Sequence, residues 1–130
     1  MHDLQNNINV VQALAPIAVA ADNTGSAIDL AGYKSAVIVW NVGTVTDGTY
    51  AIEVQESDTT TSGDFAAVAA ADLIGTEKTG VTTTNDEAVY TVGYKGYKRY
   101  IRYVITETSA GSTGGVMSVS VIKGNPDHAP

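Results

Sequence analysis

Residues 33–42, YKSAVIVWNV, form the most apolar run in the chain and constrain its fold more than any other segment. As an extended strand they send Ala36, Ile38, Trp40 and Val42 to one side and Val37 and Val39 to the other. β-Branched and aromatic residues dominate, and a run of this length suits a strand better than a helix. Apolar side chains on both faces predict a central strand covered on both sides.

Shorter alternating segments surround it. Residues 50–56, YAIEVQE, place Tyr50, Ile52 and Val54 on one face, and the Asp47-Gly48 turn signal before them predicts a hairpin with the central strand. Further strands are expected at 27–30, 73–74, 87–92, 99–106 and 116–123, joined by polar loops at 57–64, 75–85 and 109–115. Phe65, the sole phenylalanine, is expected to anchor the return from the first of these loops into the core. Residues 66–71, AAVAAA, favour a helix by propensity but offer too little amphipathic face, so no helix is assigned. Pro16 interrupts residues 9–21 and places them at a sheet edge or as a strand that switches sheets.

The expected fold is all-β, an antiparallel β-sandwich of jelly-roll or Ig-like type with eight or nine strands. Residues 1–24 form an N-terminal arm and edge strand, 25–124 the sandwich domain, and 125–130 a C-terminal tail. At 130 residues one domain can bury a core without staples. There are no cysteines, so neither disulfides nor thiolate chemistry contributes.

Charge and motifs narrow the function. Seven Lys+Arg against fourteen Asp+Glu give a net charge of −7, which argues against general binding to nucleic acid or anionic membrane. The first residues lack the basic n-region of a secretory signal, and no apolar run is long enough to span a bilayer. No phosphate loop, nucleophile elbow or zinc spacing is present, and the two histidines, His2 and His128, lie in the terminal segments. Asp58, Asp64 and Asp72 do not match a calcium loop. The chain therefore reads as a non-enzyme with no catalytic, cofactor or metal residues.

One aromatic-basic cluster remains. Tyr90, Tyr94, Tyr97, Tyr100 and Tyr103 are interleaved with Lys95, Lys98, Arg99 and Arg102. Tyr90 and Tyr103 are expected in the core. The others could stack on bases or sugars, but tyrosine and arginine are also enriched where proteins meet. The candidate contact residues are Tyr94, Tyr97, Lys98, Arg99 and Arg102, with Leu4, Ile8 and Val10 from the arm.

Three segments in this order carry a resemblance: YKSAVIVWNVGTVTDGTYAIEVQESD, FAAVAAADLIGT, and YKGYKRYIRYVITET with the closing VSVIKGNPDHAP. Together they resemble small structural proteins from the head genes of tailed bacteriophages and prophages, of the capsid decoration (cement) or head-accessory type. The resemblance implies a β-sandwich on the capsid surface of the virion, made in the host bacterial cytoplasm. It further implies the major capsid protein lattice as partner and a homo-oligomer, with a trimer favoured. The competing expectations are a carbohydrate- or receptor-binding module and a tail or neck component. A sugar site would require Trp40 or the 94–100 region to be exposed.

Overall fold

A computed structural model of the chain describes residues 3–109 and 111–126. Ten strands build two facing antiparallel sheets. They are β1 (Ile8–Val19), β2 (Asn23–Thr24), β3 (Ile28–Asp29), β4 (Tyr33–Val45), β5 (Thr49–Ser57), β6 (Ala66–Ala67), β7 (Leu73–Ile74), β8 (Ala88–Tyr94), β9 (Tyr100–Thr108) and β10 (Gly115–Pro126). Sheet A has the order β1-β10-β4-β8-β7, and sheet B the order β2-β9-β5-β6 with β3 also paired to β9. Chain segments alternate between the sheets in the jelly-roll manner, which confirms the expected sandwich.

The central strand sits where the sequence puts it, between β10 and β8. Its Ala36, Ile38, Trp40 and Val42 are buried against Tyr50, Ile52 and Val54 of β5 and Ile101, Tyr103 and Ile105 of β9. Trp40 donates its indole N–H to the Met117 sulfur at 3.4 Å and packs near Tyr90, ring centroids 6.1 Å apart. Covering on both sides, however, is absent among the described residues. Val37 is exposed and Val39 half-buried, because no second layer packs on the outer face of sheet A.

The expected β4–β5 hairpin is also corrected. β4 pairs with β10 and β8, whereas β5 pairs with β9 and β6, so residues 46–48 arch from one sheet to the other. Alternation fixes which face of a strand is buried, and an arch satisfies it as well as a hairpin does. Asp47 holds this arch. Its carboxylate accepts backbone N–H bonds from Ser112, Thr113 and Gly114 and the Ser112 hydroxyl, and so ties the 46–48 arch to the β9–β10 arch beside it. Those bonds hold the Asp47 carboxyl below the usual range. Gly114 has φ +86, and a Cβ there would land on the Val19 carbonyl, so the arch needs glycine.

Local expectations change at Phe65, at residues 9–21 and at the C-terminal end of the sheet, while residues 66–71 form no α-helix, as expected. Phe65 does not enter the core; it lies under the Arg102 guanidinium, 4.3 Å from ring centroid to Cζ, and Val68 is the buried residue of that segment. Residues 66–72 form the short strand β6 and a 3-10 turn, Ala70–Asp72. Residues 8–19 are one continuous strand, with register shifts between Gln12 and Ile17 that accommodate Pro16. Residues 124–126 continue β10 up to the pairing of Pro126 with Tyr33; His2, His128 and residues 127–130 lie outside the described residues.

The outer edge of β5 is closed by loop backbone: Tyr50 exchanges N–H···O bonds with Val81 at 2.9 Å, and Ile52 N–H donates to the Lys78 carbonyl at 3.0 Å. Glu77 accepts the Val54 N–H, and burial pushes its carboxyl up. Because Trp40 meets both sheets, Trp40→Ala should cost about 3–5 kcal/mol. Chemical denaturation monitored by circular dichroism checks this; a loss well under 1 kcal/mol would mean the core does not depend on this side chain.

Candidate functional site

Two features of the surface stand out: a cleft at one end of the sandwich and the open face of sheet A.

The cleft, about 600 Å³, lies between residues 30–35, which lead into β4, and residues 94–99, which join β8 to β9. Backbone bonds brace it. The Leu30 N–H donates to the Arg99 carbonyl at 2.8 Å, the Tyr33 N–H to the Leu30 carbonyl at 3.0 Å, and the Lys95 N–H to the Asp72 carbonyl at 2.9 Å. Tyr94 forms its floor. This ring is buried, and its hydroxyl donates to Glu56 at 2.7 Å while accepting the Lys98 N–H at 3.1 Å. Burial, then the bond to Glu56, raises the Tyr94 phenol well above its ordinary value. Gly96 allows the chain to turn over this hydroxyl: a Cβ there would come within 2.5 Å of the oxygen.

Ion pairs stiffen the rim. Arg99 clasps Asp29 through Nε at 3.0 Å and Nη2 at 2.9 Å, and the Ala31 N–H adds a bond to the same carboxylate. Lys98 meets Asp58 at 2.9 Å, and this pair separates the cleft from a smaller recess that contains Glu56 and Asp64. Lys34 and Lys95 complete the lining, and Tyr97 stands 97% exposed at the mouth. Lys123 lies near Tyr33, its Nζ 5.1 Å from the ring centroid. Five of the seven Lys and Arg residues therefore gather at this end.

The predicted contact residues do not form one patch. Tyr97, Lys98 and Arg99 rim the cleft, but Tyr94 is buried and cannot serve as an exposed contact. Arg102 is on the outer face of sheet B, bonded to Gln55 at 2.8 Å and to Ser62 at 2.9 Å. Leu4 precedes β1 and is exposed; Ile8 and Val10 belong to β1 itself. Asp58, Asp64 and Asp72 do not converge. Asp58 pairs with Lys98, Asp64 accepts the Thr59 hydroxyl at 2.7 Å, and among the described residues no group of three or more His, Cys, Asp or Glu could hold a metal ion.

The open face of sheet A is the other candidate. At its outward-facing paired positions there is no charged residue, because Lys34 and Lys123 fall on the inward parity and emerge at the cleft end. Across the sheet, Val10 pairs with Ile122, Ile122 with Val37, Val37 with Gly93 and Gly93 with Ile74, an aliphatic row about 19 Å wide at the usual strand spacing. Val89 and Val116 add exposed apolar surface on one side of it, towards the arch end of β4. Sheet B, by contrast, directs Glu53 and Arg102 outward. The sequence signal for this face was the absence of charge from every outward position of VVQ, VIV and VSVI. Tyr33 and Lys34 of the cleft carried no such signal, since only the fold brings them beside Tyr97.

No family model matches the chain, and no curated protein matches it by sequence. Solved structures do match in form. The chain is similar to the SPBc2 prophage-derived protein YomS, with 12% identity, a TM-score of 0.44 and coverage of 90% of this chain and 92% of that one. It is also similar to a Bacillus endospore appendage protein of disulfide-linked pili (17% identity, TM-score 0.42, 98% of each chain). A third is the Clostridium thermocellum xylanase 10B CBM22-1–GH10 structure with xylohexaose (12% identity, TM-score 0.43, 96% of this chain and 27% of that one). At such scores the likeness carries no functional weight; the chain's own residues must carry it.

The rim pair gives a direct test. Arg99 holds the Asp29 carboxyl at about 2, below its ordinary 3.8. A lowered folded-state value means the pair's contribution is present above 3.8 and is lost as pH falls through about 2. Because both groups are exposed, solvent and salt screen that contribution and keep it small. In an NMR titration of the Arg99→Gln variant the Asp29 midpoint should rise towards 3.8; an unmoved midpoint would show that Arg99 is not the cause.

Proposed function

We propose that this chain is a non-enzymatic structural protein of a tailed-phage or prophage virion, which binds the outer surface of the assembled capsid and stabilises it. The observation that carries the reading is the charge-free outer face of sheet A, whose aliphatic row is flanked by neutral polar residues such as Gln12, Ser120, Asn41 and Thr91. Interface cores are depleted of charged residues, and a protein with net charge −7 that keeps one entire sheet face neutral has reserved that face for contact. Its acidic remainder keeps it soluble before assembly. Docking would stabilise the lattice by mass action, since a ligand that binds only the assembled shell favours that shell. As a homo-oligomer, with a trimer favoured, it would gain further from binding several lattice sites at once.

Deleting the N-terminal arm is a poor test of this reading. Removing residues 1–12 would strip five paired positions from β1 and expose β10, so it would damage the fold as well as any contact. Single substitutions on the open face avoid that. Val10→Glu and Val37→Glu place a charge on exposed positions, where stability changes stay within about 0.5 kcal/mol. In co-sedimentation with heads that lack the protein, wild type should saturate at one copy, or one oligomer, per repeated lattice site. Each variant should bind at least roughly tenfold more weakly with unchanged melting. Undiminished binding by both variants would exclude the face; saturation at a handful of copies would move the protein to the neck or tail. No binding by wild type would refute the capsid reading.

A further inference from the structure

The cleft at the end of the sandwich has no part in contact through the face of sheet A, yet its composition is unusual for this chain. Four cations, Lys34, Lys95, Lys98 and Arg99, line it with the carboxylate Asp58, and Asp29 stands at the rim in its pair with Arg99, on a protein of net charge −7. Asp47 and Glu107 lie at the other end of β4, but Asp29, Glu56 and Asp72 stand at this one, so the cations that these carboxylates leave unpaired decide what the cleft attracts.

Its residues also differ in what they leave available. Asp29 occupies Nε and Nη2 of Arg99 and leaves Nη1 unclaimed. Lys95 forms no ion pair among the described residues. Tyr97 packs on nothing, at 97% exposed, while the backbone beneath it is fixed through Lys98 N–H and Tyr94. A solvent-exposed ring on a braced turn, beside ammonium and guanidinium donors, is pre-organised for a ligand with a flat apolar face and an anionic substituent. The volume, about 600 Å³, is that of a small-molecule site rather than a track for a long chain.

We propose that this cleft binds an acidic saccharide. The C–H face of a pyranose ring lies on Tyr97, with Tyr33 at the opposite wall, and a carboxylate, sulfate or phosphate of the sugar meets Lys95 and Arg99 Nη1. A nucleic acid would need a basic groove with several stacking positions along its strand, and the cleft has one fully exposed ring. The proposal stands apart from the capsid reading, because it concerns the free protein and a different surface.

The test is titration of the ¹⁵N-labelled protein, without capsids, with trigalacturonate, with neutral maltotriose and with a short single-stranded oligonucleotide. Trigalacturonate should shift amides in 30–35 and 94–99, and Lys95→Ala should weaken the binding about tenfold, as loss of a charged hydrogen bond does. Tyr97→Ala should weaken it without moving the shifts of the core, and Val37→Glu should leave it unchanged. Three results would overturn the proposal: no shifts at millimolar trigalacturonate, equal binding of maltotriose, or tighter binding of the oligonucleotide. None of them bears on whether Val10 and Val37 contact a capsid.

Discussion

Everything in this fold depends on β4 being held between two long partners while only one of its faces is covered. Antiparallel pairing to β10 and β8 satisfies the backbone of β4, and Ala36, Ile38, Trp40 and Val42 put its inner face at the centre of the core. The two sheets can then face each other only if the chain arches between them, which is why the 46–48 and 112–114 segments are pinned together by Asp47. The outer face follows from the same constraint. Once Trp40 faces inward, Val37 and Val39 must face outward, since the side-chain period of a strand is two.

Much of the architecture was legible in the sequence. The alternations around Tyr50, Ile101 and Val119 named the inward residues, and the absence of helical periodicity named the class. Strand partners were less legible. Residues 50–56 follow residues 33–42 after a tight turn, as a hairpin would, yet β5 pairs with β9, and an arch still turns the apolar faces of β4 and β5 into the shared core. Local pattern specifies a face; the partner is set by contacts distant in sequence.

The same distinction explains the site. Spacing grouped Tyr94, Tyr97 and Arg102, but turn and strand geometry sends them to the core, the solvent and the far face of sheet B respectively. Tyr33 and Lys34 join Tyr97 only through the return of β4 alongside β8. Apolar residues at 37 and 39 signalled cover on both sides, but among the described residues only the inner face is covered. The apolar outer face of β4 is what the proposed contact with a capsid would use. Cations gather with paired carboxylates at the cleft end, and no charge lies at the outward paired positions of sheet A.

Side-chain footprinting with a carbene or hydroxyl-radical probe, on the free protein and on the protein bound to heads, tests this account most directly. Labelling of Val10, Val37, Ile74 and Ile122 should fall on binding, while Tyr97 stays as reactive as in the free protein. If those four aliphatic residues remained labelled in the bound state, and protection appeared instead on the outer face of sheet B around Glu53 and Arg102, the open face of sheet A would not be the docking surface.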